Sequence, residues 1–474
     1  MKKILFVGGE AVPFASTGGL GDVMGSLPEA LCRGGADVRA VMPLYGSISD
    51  TYRAKMEKVC EFSVQLSWRR QYCGVYAYKY GSATYYFIDN EYYFRRSSIY
   101  GQYDDGERFA FFCHAVLDML PQIGFFPDVL HANDWQAAMT IIYLKQKYGA
   151  DERYGNIKTV YTIHNIDYQG IFDFAILGDV FDLPPEARSC VEFDGCINLT
   201  KGAIVCCDRL TTVSRSYANE LQSPYFSGRL SAIIHRQEYK TVGIVNGIDT
   251  AYYNAEKDPD IKFPFSLEHM RGKAENKADL QRMFGLAESP TTPVVAMISR
   301  LASHKGFDLV RCVLEEMLTW DIQFVLLGTG DAELEAYFSD LANRYPGKVG
   351  VVLAFNKALS KQVYAGADIF LMPSKSEPCG LSQMIASAYG AVPVVRAIGG
   401  LRDTIHPYNP ETKEGNGVTF ESYNAHDMMD AVRRAVALYG DDGHWQALLH
   451  NVMTADFSWD ASAAGYLSVY HDIS

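Results

Sequence analysis

The chain has 474 residues, of which 48% are hydrophobic and 21% are charged, so it contains enough apolar side chains for folded cores and is not a mainly disordered protein. Its 43 Lys and Arg against 56 Asp and Glu give a net charge of −13, which argues against nucleic acid and against an anionic membrane as the principal partner. At about 150 residues per domain, the length predicts two large domains or three smaller ones.

The first predicted element is a buried strand over residues 3–7, an apolar run that ends at Gly8 and Gly9. This run is too short for a secretory signal peptide, and no stretch of about 20 apolar residues is present to span a membrane. The ten cysteines form no Cys-x-x-Cys pair, so we expect free thiols in a reducing compartment and no zinc site. These features predict a soluble cytoplasmic protein.

Short apolar, β-branched runs alternate with helical stretches along the whole chain. Such runs lack the polar alternation of a half-exposed strand and are typical of parallel sheets covered by helices on both faces. Two successive series predict an α/β fold with two Rossmann-like, doubly wound domains. The predicted strands are 3–7, 38–42, 129–131, 159–163, 209–213 and 242–245 in the first series, and 294–299, 323–328, 350–353, 369–372 and 392–395 in the second.

A polar stretch over residues 254–262 and a predicted helix over 272–284 separate the two series. We therefore predict a first Rossmann-like domain over 1–245, a second over 246–455 and a terminal segment over 456–474. A ligand of this fold is expected in a deep cleft between the domains, at the carboxyl ends of the strands.

Residues 61–95 differ from the rest of the first domain because aromatic side chains alternate along them. The pattern predicts a small antiparallel hairpin set within that domain. Aromatic faces on strands usually belong to cores, but they also stack on sugar rings, so both a structural and a carbohydrate-binding interpretation stay open.

The first predicted strand leads into a glycine-rich loop, residues 13–23, with the sequence PFASTGGLGDV. Glycines let the backbone approach a ligand, and the N-terminus of the following helix favours an anion. The loop matches neither the dinucleotide fingerprint nor the Walker A motif, so by itself it is equally consistent with a tight turn.

Two clusters with His and Asn follow later strands of the first series: HANDW over residues 131–135 and TIHN over 162–165. A lone histidine is more often structural than catalytic. Two such clusters, each at the carboxyl end of a strand, favour a functional interpretation, and we expect both to face the cleft.

The second series carries charged loops directly after two of its strands. Residues 299–306, SRLASHKG, place Arg300 and Lys305 where a strand ends, a position at which both cations can hold a diphosphate. Residues 373–383, PSKSEPCGLSQ, place Glu377 before a helix start that can hold sugar hydroxyls and phosphate. Solvated cations and a helix-capping glutamate are the simpler alternatives.

Taken together and in this order, the motifs resemble the bacterial glycogen synthase and plant starch synthase family over essentially the whole chain. The resemblance is carried by STGGLGDV, HANDWQAA, TIHN, VNGID, SRLASHKGFDL, EPCGLSQ and GGLRDTI, and by Gly272-Lys273, Asn276-Lys277 and Leu280-Gln281 before the second domain. It implies a GT-B fold and transfer of glucose from ADP-glucose to the non-reducing end of an α-1,4-glucan, with retention at the anomeric carbon. It also implies that residues 457–470 include a helix that crosses back onto the first domain.

The resemblance implies roles for individual residues. Arg300 and Lys305 would contact the donor diphosphate, and His164 and Glu377 would surround the transferred glucose. The donor side would further include Ser16, Gly18, Gly19, Asp22, Asn246, Cys379, Gly380, Leu381 and Ser382, and the acceptor side would include Asp134 and Asn165. The expected partners are ADP-glucose and the glucan, without nucleic acid or membrane, and no feature of the sequence specifies an oligomeric state.

At one position the sequence departs from this family, whose loop usually begins Lys-x-Gly-Gly-Leu, because Ser16 stands where the lysine is expected. Losing that cation removes a charge-assisted contact worth about 1.5–3 kcal/mol, which leaves the preference between ADP- and UDP-glucose open. Activity is still expected, since Arg300 and Lys305 remain. No metal or other cofactor is expected, and the single D-x-D, residues 258–260, is interpreted as a turn.

Two other functions stay open at this point. A sucrose- or trehalose-type GT-B enzyme would share Arg300, Lys305 and Glu377 but use a small sugar acceptor. A glucan-binding protein without catalytic activity would be consistent with Ser16 and the aromatic hairpins, although the joint presence of the four predicted catalytic residues argues against it.

Overall fold

The computed structural model describes residues 1–473, and the chain folds as two compact units. The N-terminal unit contains Met1–Gly247 and the segment from Trp459 onward, and the C-terminal unit is Ile248–Ser458. The boundaries predicted from the sequence, 1–245, 246–455 and 456–474, stay predictions, and Ser474 lies outside the described residues. Among residues 1–473, no helix has both the length and the hydrophobicity that crossing a membrane requires.

The N-terminal unit is built on a nine-stranded sheet with the order β12-β11-β7-β6-β1-β2-β5-β4-β3, in which all pairings are parallel except those of β4. A small antiparallel sheet, β8-β10-β9, accompanies it. The strands are β1 Lys3–Val7, β2 Asp37–Pro43, β3 Glu57–Leu66, β4 Arg69–Tyr80, β5 Ala83–Asp89, β6 Val129–Asn133, β7 Lys158–Ile163, β8 Ile171–Phe172, β9 Glu192–Phe193, β10 Cys196–Asn198, β11 Arg209–Thr212 and β12 Thr241–Gly243.

Helices follow most of these strands and cover the sheet. They are α1 Gly19–Arg33, α2 Asp50–Arg53, α3 Glu91–Phe94, α4 Asp105–Gln122, α5 Asp134–Tyr143, α6 Glu152–Gly155, α7 Arg188–Val191, α8 Leu199–Cys206, α9 Arg215–Glu220, α10 Pro224–Ser227 and α11 Ser231–Arg236. The final helix, labelled α20 in chain order, is Trp459–Asp472; it packs against α1, and its Tyr466 and Tyr470 are fully buried.

The aromatic segment forms two antiparallel hairpins, β3–β4 and β4–β5, as the alternation predicted, but they are not a sheet of their own. Strands β3, β4 and β5 extend the main sheet, because β5 pairs in parallel with β2 and so joins the antiparallel pair β4 and β3 to it. Phe14 packs against five aromatic rings around this extension, which places much of the aromatic pattern in the core. The alternation of aromatic residues correctly indicated strands, but the sequence could not show that β5 pairs with β2 of the main sheet.

The C-terminal unit contains a fully parallel six-stranded sheet with the order β15-β14-β13-β16-β17-β18. Its strands are β13 Val294–Ile298, β14 Gln323–Leu327, β15 Val349–Val352, β16 Ile369–Met372, β17 Val392–Arg396 and β18 Val418–Phe420. Its helices are α12 Arg271–Met283, α13 Phe307–Met317, α14 Ala332–Arg344, α15 Lys357–Gly366, α16 Ser382–Ala388, α17 Gly399–Thr404, α18 Ala425–Tyr439 and α19 Asp442–Thr454. This is the doubly wound order of nucleotide-binding sheets, so the predicted fold class is confirmed.

Asp258 in the polar stretch does more than form a turn. Its Oδ1 accepts from the backbone N–H of Asp260, as the predicted turn requires, but the side chain is also buried and paired with Lys361. Tyr389 donates a further hydrogen bond to the same carboxylate. The acidic pair therefore anchors the chain onto α15, and a buried carboxylate needs such partners because solvation by water is lost.

Candidate active site

In the N-terminal unit, the order of the parallel strands reverses between β1 and β6. Helices leave the sheet on opposite faces at such a point, which opens a crevice at the carboxyl ends of the two strands. The residues that follow β1 form the predicted glycine-rich loop, and Asp134 follows β6 directly. We call Glu10, the loop 16–22, Asp134, His164 and Asn165 the N-unit cluster.

Glu10 organises the glycine-rich loop, although sequence analysis missed it. Its Oε2 accepts hydrogen bonds from the Thr17 backbone N–H at 2.7 Å and from the Thr17 hydroxyl at 2.8 Å, and its Oε1 accepts from the Gly21 N–H at 3.0 Å. Burial raises the pKa of this carboxyl, while these hydrogen bonds lower it. The signal available in the sequence was an acidic residue just after a strand, in the Gly-Gly-Glu that follows β1.

The loop itself presents backbone to the surface. Ser16, Gly18 and Gly19 are exposed, and a Cβ placed on Gly19 would meet no atom within 4 Å. Gly21 is different, because a Cβ there would lie 2.1 Å from the Ser16 hydroxyl oxygen. Gly21 is thus required by packing within the loop, whereas the open space at Gly19 is the kind of surface that a ligand can approach closely.

Asp134 and His164 are joined through the backbone, because Asp134 Oδ1 accepts from the His164 N–H at 2.8 Å. Asp134 begins α5 with a φ of 56°, a left-handed conformation that Asp adopts more readily than most residues. Burial raises the pKa of the Asp134 carboxyl to about 7, against the lowering effect of backbone hydrogen bonds from His164 and Asn165. A carboxyl with this pKa is protonated in part of the molecules at neutral pH.

His164 is held as a neutral imidazole. Burial lowers its pKa to about 3, and Nε2 lies 3.0 Å from Asn133 Oδ1. The amide nitrogen of Asn133 donates to the carbonyls of Val7 and His131, which identifies Oδ1 as the acceptor facing His164. His164 therefore carries its proton on Nε2, and Nδ1 is the ring nitrogen that can accept a hydrogen bond.

Other residues predicted for this region have different surroundings. Asn165 uses its Oδ1 to accept from the Asp167 N–H at 3.0 Å, so its side chain closes a turn. Asp22 lies in the first turn of α1. Asn246 lies after β12, and its buried Oδ1 has no hydrogen-bond partner among residues 1–473, which is the condition expected of an acceptor that a ligand satisfies.

His131 does not face the site, so that expectation was wrong. Its ring is fully buried, with Nδ1 at 2.7 Å from the Tyr470 hydroxyl and Nε2 at 2.5 Å from Thr162 Oγ1. Burial lowers its pKa well below the usual value, so it is a neutral core residue. His131 lies on β6 two positions before Asn133, so the two side chains point to the same side of the sheet. The sequence could not show that α20 packs there and covers His131 with Tyr470.

In the C-terminal unit the strand order reverses between β13 and β16. The two charged loops follow these two strands, as the sequence predicts. Only the structure shows that β13 and β16 are neighbours in the sheet, since about 70 residues separate them in the chain. Lys375 N–H donates to the His304 carbonyl at 2.8 Å, and a Cβ on Gly306 would lie 2.1 Å from the Pro373 carbonyl oxygen. The loops are thus fixed against each other by backbone contacts, and we call Arg300, Lys305, Glu377 and residues 379–382 the C-unit cluster.

Lys305 and Glu377 form an ion pair. The Lys305 Nζ lies 2.7 Å from Glu377 Oε2, and the Ser374 hydroxyl donates to the same oxygen at 3.0 Å. The Glu377 side chain is 10% exposed and that of Lys305 is 20% exposed. The simpler interpretation of Glu377 as a helix cap therefore does not hold, because its recorded partners are Lys305 and Ser374.

Arg300 is exposed at the end of β13, and no carboxylate among residues 1–473 forms an ion pair with its guanidinium. A guanidinium presents a planar fork of donors that matches two phosphate oxygens. The C-unit cluster therefore contains one guanidinium without an ion-pair partner, that of Arg300, and one ammonium, that of Lys305, which is ion-paired with the buried Glu377 carboxylate.

The turn 377–382 is shaped by two glycine motifs. Gly380 has a φ of 72°, and Gln383 Nε2 donates to the carbonyls of Cys379 and Gly380. Gly400 N–H donates to the Glu377 carbonyl, and a Cβ on it would lie 2.1 Å from the Cys379 carbonyl oxygen. Cys379 is buried, Leu381 caps α16 and Ser382 begins it. The GGL motif thus acts by packing beneath the turn.

Within residues 1–473, no group of three or more His, Cys, Asp or Glu side chains is arranged to hold a metal ion. Two further buried oxygens, Tyr100 Oη and Gln136 Oε1, have no hydrogen-bond partner in this part of the chain. Both residues lie against Gly9, beside Glu10, since a Cβ on Gly9 would be 2.7 Å from the Tyr100 hydroxyl and 3.4 Å from Gln136 Cβ. Sequence analysis identified neither residue.

Two family models match the chain in order. The starch synthase catalytic domain matches residues 3–236, and the model named glycosyl transferases group 1 matches residues 281–444. Among curated proteins, a glycogen synthase of Geobacillus thermodenitrificans is 47% identical over 473 residues, covering 99% of this chain and 98% of the relative. A glycogen synthase of Bacillus cereus is 47% identical over 475 residues, covering 99% of both chains.

Two solved structures are also similar. The catalytic domain of starch synthase IV from Arabidopsis thaliana, solved with ADP and acarbose bound, has a TM-score of 0.90 and 32% identity, with 100% of this chain and 99% of that chain covered. A sucrose-phosphate synthase from Thermosynechococcus elongatus has a TM-score of 0.61 at 16% identity, a likeness of fold alone.

Proposed function

The chain belongs to the glycogen and starch synthase family of GT-B glycosyltransferases, and from this premise we propose that it transfers glucose from ADP-glucose to the non-reducing end of an α-1,4-glucan with retention of configuration. It is a glycosyltransferase of the glycogen synthase type, a family that uses a nucleotide sugar and a glucan. The donor, the stereochemistry and the roles of the residues below are the proposal.

One observation carries the assignment: identity of 47% over the whole length of curated glycogen synthases. It favours a glucan acceptor over the small sugar of the alternative enzyme class, since the sucrose-phosphate synthase shares the fold at only 16% identity. ADP in the starch synthase IV structure supports an adenine nucleotide as the leaving group here.

The C-unit cluster is proposed to bind the donor. Arg300 would hold two oxygens of the diphosphate with its guanidinium fork, and Lys305 would add a point charge. Negative charge grows on the diphosphate as the bond to glucose breaks, so fixed cations stabilise the transition state more than the ground state. The half-buried residues 380–382 would contribute backbone N–H groups to the same ligand.

Glu377 is proposed to act in two ways. Its Oε2 positions the Lys305 ammonium through the 2.7 Å ion pair. Both recorded contacts, from Lys305 and Ser374, use Oε2, so Oε1 is the oxygen proposed to accept from a hydroxyl of the transferred glucose. In the N-unit cluster, His164 Nδ1 would accept from a sugar hydroxyl, and Asp134 and Asn165 would line the acceptor side.

Retention is proposed to follow a front-face route. The bond from C1 of glucose to the diphosphate oxygen breaks, and the bond from C1 to the acceptor 4-oxygen forms on the same face. The proton of the 4-hydroxyl passes to the departing diphosphate oxygen, so no side chain has to act as a nucleophile. Catalysis then rests on positioning and on stabilising the leaving charge.

The reaction is proposed to need no metal ion, because Arg300 and Lys305 supply positive charge at the diphosphate. Activity that a chelator abolishes, and that Mg²⁺ or Mn²⁺ restores, would contradict this part of the proposal. A cytoplasmic location is also proposed, since all ten cysteines are free thiols and the proposed donor is a nucleotide sugar.

The experiment that tests the function is incorporation of labelled glucose into glycogen, with ADP-glucose and UDP-glucose assayed side by side. We expect transfer from ADP-glucose, and loss of transfer in Lys305→Ala and Glu377→Ala. Lys375→Ala is the matched control, because it removes an exposed ammonium from the same loop and should retain activity.

A different outcome would redirect the proposal. Higher kcat/KM with UDP-glucose would assign the other donor and connect the change to Ser16. Transfer to a small sugar but not to glycogen would favour the sucrose- or trehalose-type enzyme. No transfer from either donor, with glycogen binding intact, would favour the non-catalytic glucan-binding protein.

A further inference from the structure

Two cysteines of the N-terminal unit meet where α7 packs against α8. Cys190 lies in α7 and Cys206 is the last residue of α8, and their Sγ atoms are 2.9 Å apart. Cys190 Sγ is also 3.8 Å from the Gly202 carbonyl oxygen, so its side chain points at α8. A disulfide bond is about 2.05 Å long, so a shift of about 1 Å between the sulfurs would suffice to form one.

The surroundings of the pair are positively charged. The Lys201 ammonium donates to the carbonyls of Ser189 and Cys190, at 2.7 and 2.8 Å, and the Lys240 ammonium donates to the Cys207 carbonyl at 2.7 Å. These ammonium groups hold the ends of both helices in place around the sulfurs. They also favour a negative charge on a nearby sulfur, since a cation lowers the free energy of a thiolate.

The two thiols are inequivalent. The hydrogen bond from Cys190 lowers the pKa of Cys206, and the positive charges of Lys240, Lys145 and Lys201 lower it further, while its burial opposes them. The same hydrogen bond and burial raise the pKa of Cys190. Cys206 is also half-buried, next to exposed Val205, whereas Cys190 is buried. Cys206 is therefore the reachable, thiolate-forming member, and Cys190 is the thiol behind it.

We propose that Cys190 and Cys206 are a redox-modification site, at which a peroxide oxidises Cys206 and Cys190 then closes an intramolecular disulfide. This inference is independent of the proposed function. It assigns a role to a contact that glycosyl transfer does not use.

The chemistry balances with hydrogen peroxide as the oxidant. The Cys206 thiolate attacks one peroxide oxygen, the O–O bond breaks, and the other oxygen leaves as hydroxide and takes a proton, which leaves a sulfenic acid. The Cys190 sulfur then attacks Cys206 Sγ, the S–S bond forms, and the S–O bond breaks with release of a second water. The two thiols lose two electrons and two protons in total, and a dithiol reductant reverses the change by exchange.

The pair lies at the C-terminal end of α8, whereas the N-terminal end of α8 contacts the segment between β7 and β8 that contains His164 and Asn165. At this N-terminal end, Asn198 caps α8 and donates to the Gln169 side chain, and Thr200 N–H donates to the Gln169 carbonyl. Oxidation therefore ties α7 to the far end of α8, and Cys→Ser variants at this end are expected to leave basal transfer unchanged.

The test is peptide mapping of the full-length protein after treatment with hydrogen peroxide, with free thiols blocked before digestion. Trypsin places Cys190 with Cys196 on peptide 189–201, and Cys206 with Cys207 on peptide 202–209. We expect these two peptides to be joined, the intact mass to fall by about 2 Da, and dithiothreitol to restore both peptides.

Single serine variants assign the bond. Cys190→Ser and Cys206→Ser should lose the joined peptides, whereas Cys196→Ser and Cys207→Ser, the neighbours on the same two peptides, should retain them. Cys206→Ser, in which only a half-buried sulfur changes, keeps the test interpretable if Cys190→Ser fails to fold. Joined peptides that survive in Cys206→Ser, a link found only between two chains, or oxidation to sulfinic acid without a link would each overturn the proposal.

Discussion

Lys305 and Glu377 are 72 positions apart in the chain, yet the ammonium of one lies 2.7 Å from the carboxylate of the other. The pair joins the loop after β13 to the loop after β16, at the point where the strand order of the C-terminal unit reverses. Two residues to which the resemblance gives separate roles, one on diphosphate and one on glucose, are therefore one electrostatic unit in the folded chain.

This pairing predicts that the effects of the two residues are not additive. Lys305→Ala removes a cation from the proposed diphosphate site and leaves a buried carboxylate without its ion-pair partner, so we expect kcat/KM for ADP-glucose to fall about 10²–10³-fold. Removing Glu377 in addition should cost much less than it does in the wild type. A double-mutant cycle on kcat/KM measures this coupling.

A parallel cycle with Lys375 and Glu377 is the control for that experiment. Lys375 is exposed on the same loop, and its ammonium lies beside the Tyr423 ring rather than Glu377. The second cycle should be additive. Equal coupling in both cycles would show that loop disruption, and not the ion pair, links the residues.

The proposed contribution of Arg300 to donor binding is expected to depend on the planar shape of its guanidinium as well as on its charge. Arg300→Ala should lower kcat/KM about 10²-fold, and Arg300→Lys should recover only part of the loss, because an ammonium cannot make the two parallel hydrogen bonds of a guanidinium. Steady-state kinetics with ADP-glucose checks this. Arg311→Ala on α13, which removes a surface pair with Glu333, should leave the kinetics unchanged.

Ser16→Lys restores the cation that the family usually has in the glycine-rich loop. Ser16 is exposed, so a longer side chain can be accommodated. At about 1.5–3 kcal/mol for a charge-assisted hydrogen bond, we expect the dissociation constant for ADP to fall at least about tenfold. Titration calorimetry with ADP, and with UDP beside it, gives the size and the nucleotide preference of the change; unchanged affinity for both would separate Ser16 from donor binding.

The raised pKa of the Asp134 carboxyl leads us to expect that the stability of the fold depends on pH. Its pKa is raised from 3.8 to about 7 by burial, so the folded chain binds this proton more tightly than the unfolded chain does. The resulting stabilisation is present below about pH 4 and is lost as pH rises to about 7. Asp134→Asn keeps an acceptor for the backbone N–H groups but has no proton to lose.

The measurement is Tm against pH for both chains. The Tm of Asp134→Asn relative to the wild type should rise steadily between pH 4 and about pH 8. Glu10 is present in both chains, so most of its own titration cancels in the difference, and its negative charge adds to the raised pKa of Asp134. A Tm difference that is constant with pH would show that Asp134 is already ionised throughout.

Glu10 is expected to act by ordering the loop after β1. Glu10→Ala removes the acceptor of three hydrogen bonds to Thr17 and Gly21. We expect faster amide hydrogen exchange in residues 16–22, while Glu10→Gln, which retains an acceptor, should have a smaller effect. Exchange in β7 serves as the internal control, and unchanged exchange in the loop would rule out this role.

The strands, the fold class and the family could be predicted from the sequence because each depends on short contiguous segments. Continuous apolar runs identify buried parallel strands, as at β13 and β16, and a charged loop after each predicts a functional strand end. The order of the motifs also identified the family, since each motif is a short contiguous segment. The doubly wound fold class needed nothing more than this alternation.

Contacts between distant segments were decided only by the tertiary structure. The pairing of Lys305 with Glu377, the burial of His131 beneath Tyr470, the joining of β5 to β2 and the meeting of Cys190 with Cys206 each require knowing which elements are neighbours. A side chain's protonation state and reactivity depend on solvent exclusion and on charges within a few ångströms, and chain folding sets both of these without leaving a local pattern in the sequence.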